Sequence, residues 1–234
     1  MSDGNPITLV TGASRGIGRA LAEHYAGKGH LVIGCSRSEV DDPVDGCEYR
    51  ICDVSDETAV RGLFSGIRAD FGGLDNLINN AGIAAMNHSL LTPASSVRKI
   101  LETNVLGGFL ATREAAKLMR PNKYGRIVNF STVAVPLKLE GEAAYVASKA
   151  ALESLTYVLA REYSAFNITV NAVGPTPIQT DLIKGVGEKK IAALVKRQPI
   201  PRLGEFSDVA NVTDFFIDPA SSFITGQVIY LGGL

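Results

Sequence analysis

The sequence is poor in the features that mark several specialised classes of protein. Its 234 residues include only three cysteines and three histidines. Cys35, Cys47 and Cys52 are odd in number and lack zinc-type spacing, which argues against a disulfide framework and fits a reducing compartment. His24, His30 and His88 show no metal-ligand spacing, so packing or surface roles are expected of them. Neither sign of charge dominates: 23 basic residues face 24 acidic ones, which leaves no electrostatic footprint for nucleic acid. No Ser/Gly-rich tract, charge block or internal repeat divides the chain, so residues 1–234 are expected to form one domain. The longest stretch without formal charge, Leu77 to Val97, is broken by Asn79, Asn80, Asn87 and Pro93 and does not read as a membrane span. Met1 to Pro6 is short and polar, unlike a signal peptide. A soluble cytoplasmic protein is the expectation.

What the chain does contain is alternation. Apolar runs at Ile7–Val10, Leu31–Gly34, Leu74–Ile78, Arg126–Phe130 and Ile168–Val173 read as buried strands. A weaker strand is expected at Glu48–Ile51 and a last one at Gln227–Leu231. Helical periodicity fills the gaps at Ile17–Lys28, Thr58–Phe71, Val97–Met119, Ala144–Phe166 and Ser207–Ile217. Ser55 and Ser207 stand where N-caps belong. Such alternation predicts an α/β fold, a parallel sheet covered by helices on both faces, with ligands collecting at the carboxyl ends of the strands. The segment from Gly174 to Phe206 differs. It carries four prolines and one short helical pattern near Lys189–Lys196, and it predicts a lid over the site.

After the first strand comes Thr11-Gly12-Ala13-Ser14-Arg15-Gly16-Ile17-Gly18, then a helix. Glycines at this point let the backbone turn sharply and approach a pyrophosphate, which a helix N-terminus attracts with free N–H groups. The turn lacks the Lys-Ser/Thr ending of a P-loop, and no G-x-S-x-G elbow occurs, which leaves phosphotransfer and hydrolysis without support. The second strand ends Cys35-Ser36-Arg37, where NAD enzymes usually place an acid for the adenosine ribose. A guanidinium there, with Arg15 able to reach it from the first loop, favours NADP(H) over NAD(H). Farther on, Tyr145 and Lys149 are spaced i, i+4 within a helical pattern and leave the same face. An ammonium beside the phenol, together with the positive nicotinamide of the oxidised cofactor, is expected to lower its pKa, so that Tyr145 can exchange a proton with a carbonyl or alcohol oxygen.

These motifs, in this order and over nearly the whole chain, resemble the short-chain dehydrogenase/reductase family, with the nearest look to its 3-oxoacyl-carrier-protein reductases. The residues that carry the resemblance are Thr11–Gly18, Asp53-Val54, Asn79-Asn80-Ala81-Gly82, Asn104, Tyr145-x-x-x-Lys149 and Asn171–Thr180. The resemblance implies a seven-stranded Rossmann-like sheet assembled as a homotetramer or homodimer. Gly12, Ser14, Arg15, Gly16, Ile17 and Gly18 would hold the cofactor, with Arg37 at its phosphate, and Asp53 and Val54 near the adenine. Asn80, Ala81 and Gly82 would flank a ribose, and Pro175, Ile178 and Thr180 would lie near the nicotinamide. Lys149 would also bond the ribose hydroxyls, and Asn104 would hold a relay water to the lysine or accommodate a helix distortion. Two departures stand out. Thr176 occupies a position where glycine usually follows the proline, and threonine resists positive φ. The family's catalytic serine, 13 residues before the tyrosine, is Thr132 here. Thr132 keeps a hydroxyl but adds a methyl that crowds the site. Ser131 would replace it only after a one-residue shift of register.

The expected activity is hydride transfer between NADP(H) and a carbonyl or secondary alcohol, the substrate being a small molecule or a carrier-bound thioester. In the lid region, Lys184, Lys189, Lys190, Lys196, Arg197 and Arg202 against Glu188 could steer an anionic substrate or carrier, or form a solvated face. A sugar or polyol dehydrogenase and a non-catalytic cofactor-binding sensor or assembly subunit are the alternatives.

Overall fold

In the computed structural model of the chain, residues 4–179 and 187–233 are described, apart from the side chains at 188 and 190. Thr180 and Lys184, both singled out above, lie outside them. Seven strands make one sheet: β1 (Ile7–Thr11), β2 (Leu31–Ser36), β3 (Cys47–Ile51), β4 (Asn76–Asn79), β5 (Gly125–Phe130), β6 (Ile168–Gly174) and β7 (Val228–Tyr230). Their order is β3-β2-β1-β4-β5-β6-β7, and every neighbouring pair is parallel. The chain winds outward from β1 to β3, then returns to place β4 on the other side of β1. That reversal opens a crevice at the carboxyl ends of β1 and β4, the usual ligand position in such sheets.

The helices are α1 (Gly16–Gly27), α2 (Glu57–Phe71), α3 (Ala94–Leu101), α4 (Gly108–Met119), α5 (Ala134–Leu137), α6 (Ala143–Tyr163), α7 (Glu188–Val195) and α8 (Phe206–Ile217). Because successive strand residues point to opposite faces, each of the five inner strands feeds two cores. Leu9, Ile33, Leu77, Ile127 and Val170 pack on one face against Ile67 of α2, Leu110 and Ala115 of α4 and Leu159 of α6. Val10, Val32, Ile78, Val128 and Val173 pack on the other against Leu21 and Tyr25 of α1 and Val209 and Phe216 of α8. The doubly wound architecture expected from the alternation is present.

Three local expectations need correcting. The helix read over Val97–Met119 is interrupted by a π-helical stretch, Glu102–Gly107, between α3 and α4. Gly107 passes so close to Val54 that a Cβ on it would stand 2.8 Å from Val54 Cγ2, and the widened turn there brings Asn104 inward, 1% exposed. The cap of α2 is Asp56, not Ser55: Asp56 Oδ1 accepts from the backbone N–H groups of Thr58 (2.7 Å) and Ala59 (3.1 Å). Ser55 instead donates to Asp53 Oδ1. At α8 the cap is Glu205, not Ser207, and Glu205 forms a reciprocal box with Asp208. In both cases a carboxylate close to the serine in sequence takes the cap.

The histidines have structural partners. His24 Nε2 lies 3.0 Å from Asp214, His30 Nδ1 lies 2.8 Å from Thr8 Oγ1, and His88 Nδ1 accepts from the N–H of Leu90. No group of three or more His, Cys, Asp or Glu arranged for a metal occurs among the described residues. Nor is any helix among them long and apolar enough to cross a membrane.

Candidate active site

The sequence motifs gather at the carboxyl ends of six adjacent strands, β1 to β6. At the end of β1 the turn is built on absent side chains. Gly12 and Gly16 have φ of +69° and +57°. A Cβ on Gly18 would stand 2.2 Å from Gly12 O, and one on Gly12 would stand 2.9 Å from Ala81 Cα. Asn80 ties the turn to β4, its Nδ2 donating to Thr11 O (3.0 Å) and Gly12 O (3.3 Å). Ala81 N–H donates to Thr11 Oγ1 at 3.0 Å. The N-terminus of α1 has no side-chain cap and no acidic residue in its first turn. Since α2 and α8 both receive carboxylate caps, the open end of α1 leaves donors and dipole free for an anion. This cradle fits the pyrophosphate of a dinucleotide.

Arg15 and Arg37 are exposed beside this turn and at the end of β2. Asp53, just past β3, takes the N–H of Ser55 (3.0 Å) and its hydroxyl (2.7 Å) on Oδ1, and these bonds hold its carboxyl below the usual range, with a smaller contribution from Arg37. Val54 is buried against the π-helical stretch.

On α6, Tyr145, Lys149 and Glu153 lie four residues apart and are all buried. Lys149 Nζ donates to Phe130 O at 2.7 Å and lies 5.9 Å from the centroid of the Tyr145 ring. Burial pushes the ammonium down to about 8 and the phenol up to about 12. The expected lowering of the phenol by its lysine is therefore not what the free chain displays, because desolvation outweighs everything else. Hydrogen bonding from the side chain of Thr132 draws the phenol down in part, and Glu142 pushes it up. At neutral pH the phenol of the free chain holds its proton.

Thr132, just beyond β5, thus faces Tyr145, and its Oγ1 also accepts from Ala134 N–H at 3.2 Å. Ser131 turns elsewhere, donating its hydroxyl to Glu153 Oε1. Asn104 Oδ1 accepts from Ile83 N–H (2.8 Å), while Nδ2 donates to Ile83 O and Ser148 Oγ (2.9 Å each). It clamps the segment that follows Gly82 to α6. Gly82 leaves room between two functional groups, since a Cβ there would be 3.2 Å from Lys149 Nζ and 3.4 Å from Asn104 Oδ1. Glu153, Ser148 and Tyr230 were not foreseen from the sequence; apart from the bond of Ser148 to Tyr145 O one turn away, their partners lie far along the chain.

Beyond β6, Pro175 and Ile178 are buried at the site's edge, and a parallel bridge joins Ile178 to Gly204. Thr176 does not have positive φ, so the loop never asks for the conformation threonine resists. Its methyl packs where a Cβ on Gly204 would come within 2.7 Å, and its Oγ1 is buried with no hydrogen-bond partner among the described residues. A cavity of about 450 Å³ opens at the opposite end of the sheet, against His30, Asp75, Asn76 and Tyr124. No motif residue lines it, so the candidate site rests on the geometry of the carboxyl-end crevice.

Comparison with known proteins agrees with this fold. A family model described as enoyl-(acyl carrier protein) reductase matches residues 12–233. The chain is 35% identical over 234 residues to the 3-oxoacyl-[acyl-carrier-protein] reductase FabG of Escherichia coli (strain K12), covering 97% of this chain and 96% of that one. Among solved structures, levodione reductase superposes with a TM-score of 0.90 at 26% identity, covering 98% and 97% of the two chains. The aldohexose dehydrogenase of Thermoplasma acidophilum superposes with a TM-score of 0.89 at 30% identity, covering 99% of this chain and 94% of the other.

Proposed function

Because the chain belongs to the short-chain dehydrogenase/reductase family and is an oxidoreductase of that type, we propose that it reduces a carbonyl to a secondary alcohol with NADPH, or runs the reverse. Tyr145 is the general acid/base of this reaction. The observation that carries the reading is the buried pairing of Tyr145 with Thr132 and Lys149 beside an uncapped, glycine-lined helix N-terminus.

Gly12, Ser14, Gly16, Ile17 and Gly18 would hold the pyrophosphate, Arg15 and Arg37 a 2′-phosphate, and Asp53 with Val54 the adenine side. Asn80, Ala81, Gly82 and Lys149 would flank the nicotinamide ribose, with Pro175 and Ile178, and Thr180 beyond the described residues, at the nicotinamide. When bound, the dinucleotide donates hydride to the carbonyl carbon or takes it back. The protein handles the oxygen. Thr132 donates a hydrogen bond to it and fixes its direction. Tyr145 gives up its phenolic proton, so one O–H bond breaks at the phenol as another forms on the product. A lysine with a pKa of about 8 is charged at pH 7, and it compensates the phenolate left behind. Asn104 keeps α6 and the loop after Gly82 in register around both groups. A pure sensor needs the cradle but not this buried acid, which argues for turnover.

The FabG relative supports a 3-oxoacyl thioester, free or carrier-bound, as the leading substrate class. The aldohexose dehydrogenase supports a sugar as the second. Residues 174–206 act as the substrate lid, and its lysines and arginines steer an anionic carrier. The unit is a single domain, working as a homotetramer or homodimer in the cytoplasm. Turnover of a panel of 3-oxoacyl thioesters, ketones and aldoses with NADPH and with NADH tests the proposal. Preferential NADPH consumption with the thioesters is expected. Cofactor binding without turnover on any substrate would reject the enzyme reading in favour of a sensor.

A further inference from the structure

Helix α6 grips the end of β5 residue by residue. Thr156 Oγ1 accepts from Asn129 Nδ2 at 2.9 Å, and Lys149 Nζ donates to Phe130 O at 2.7 Å. Glu153 Oε1 takes the hydroxyl of Ser131, and Tyr145 meets Thr132. Three consecutive residues, 129 to 131, are thus held by three side chains of one helix, and Thr132, next in line, faces Tyr145. Of these contacts only the one to Ser131 has a carboxyl group as its anchor, and that residue is 8% exposed. The carboxyl has a second donor: Tyr230 Oη, at the end of β7, reaches the same Glu153 Oε1 at 2.7 Å. The Tyr230 ring covers Gly174, where a Cβ would fall 2.3 Å from Cδ1, and that same Cβ would be 3.4 Å from the backbone carbon of Thr132. Ser131 N–H donates to Val173 O (2.8 Å), Val133 N–H to Pro175 O (3.1 Å) and Leu231 N–H to Gly174 O (3.0 Å). The segment bearing Thr132 is therefore held on three sides, by β6, by β7 and by α6, and Glu153 joins the last two.

We propose that Glu153 is a positioning residue for the reaction: by accepting the hydroxyls of Ser131 and Tyr230 it fixes the backbone that aims Thr132 at the Tyr145 phenol. Ser131 has its hydroxyl committed to this task, so Thr132 alone of the two faces the reacting group. The inference rests on the reading of Thr132 and Tyr145 as the reacting pair. Its physical basis is that misplacement of a catalytic group by about 1 Å can cost up to about 100-fold in rate, even when the cause touches no substrate.

The test is a double-mutant cycle on the full chain. Glu153→Leu removes the acceptor and keeps the volume; Thr132→Ala removes the hydroxyl being positioned. If Glu153 acts through Thr132, Glu153→Leu lowers kcat about 10- to 100-fold with NADPH affinity held. In the Thr132→Ala background it lowers kcat by less than about twofold, since there is nothing left to aim. Glu153→Gln, whose amide oxygen can accept the same hydroxyls, recovers most of the loss. Ser131→Ala provides the same cycle should the leucine variant fail to fold. Additive losses, an unchanged kcat, or equal losses in the glutamine and leucine variants would overturn the proposal. A second readout does not depend on turnover: fluorine NMR of a fluorotyrosine at position 145, in the same four proteins. Its resonance should move in Glu153→Leu and in Thr132→Ala, and no further in the double variant. Absence of any wild-type turnover would reject the proposed function while leaving the resonance shifts to decide whether Glu153 positions Thr132; an unmoved resonance in Glu153→Leu would reject that role by itself.

Discussion

Gly18→Ala probes the cofactor cradle with a single methyl group. The residue is buried within the first turn of α1 and its φ is ordinary, so the substitution brings no backbone strain of its own. All its cost comes from contact. The new Cβ would stand 2.2 Å from Gly12 O, 2.5 Å from Asn80 Nδ2 and 2.9 Å from the carbonyl carbon of Gly12. The Asn80 amide can swing away, although it then loses its bonds to Thr11 O and Gly12 O. The Gly12 carbonyl is backbone and must retreat by about 1 Å to reach ordinary contact. Overpacking of this kind costs about 1–3 kcal/mol, and in a chain of this size Tm falls by roughly 2–4 °C per kcal/mol. The retreat also re-aims the N–H groups of the turn, so NADPH affinity should fall by about tenfold or more, equivalent to ~1.4 kcal/mol. Gly27, at the far end of the same helix, gives the control, because a Cβ there would meet nothing within 4 Å. Gly27→Ala should leave NADPH affinity unchanged and stabilise the helix by up to about 1 kcal/mol. Calorimetric titration with NADPH and thermal melts of both variants check this. Wild-type NADPH affinity in Gly18→Ala would refute the assignment of the turn to the pyrophosphate.

Other perturbations address the remaining groups. Arg37→Asp should move preference toward NADH, read as the ratio of kcat/KM for the two cofactors; an unaltered ratio would remove the 2′-phosphate assignment. Lys149→Met should abolish turnover yet raise the Tm of the free protein at pH 7. Its folded pKa of about 8 lies below the unfolded value of about 10.4, so the unfolded chain binds the extra proton between those values and wild-type stability climbs with pH across that window. The advantage of the methionine variant should accordingly shrink from about pH 8 toward about pH 10.5, and melts that show it constant or growing would contradict a buried ammonium. Neutralising Lys189, Lys196 and Arg197 together should raise KM for the true substrate at low salt and have less effect at high salt; an unchanged KM at low salt would leave them a solvated face.

How much of the molecule is readable from the chain depends on the reach of each interaction. The glycine turn and the Tyr145–Lys149 pair are legible because their logic is local: a strand-to-helix turn in one case and one turn of helix in the other. The sheet is legible because β1, β5 and β6 are buried on both faces and so carry apolar runs. What escapes is non-local or competitive. The π-helical stretch hides inside a continuous apolar pattern, and only the Gly107-Gly108 pair hints that a backbone passes close there. The caps go to Asp56 and Glu205 because a nearby carboxylate competes with each serine. The fate of Ser131 depends on Glu153, 22 residues on, and on Tyr230, which approaches only through the fold. The direction of the Tyr145 shift is hidden for a similar reason: the i, i+4 spacing displays the lysine but not the burial that outweighs it.

The essential step of the proposed reaction is delivery of the proton by Tyr145 while hydride reaches the carbonyl carbon. It is tested most directly by single-turnover oxidation of bound NADPH in wild type and Tyr145→Phe, with the best substrate of the panel. The phenylalanine variant should bind NADPH and substrate as wild type does, while the rate falls by about 10²- to 10⁴-fold, the usual contribution of general acid catalysis. A Tyr145→Phe variant that oxidises NADPH at the wild-type rate would contradict it.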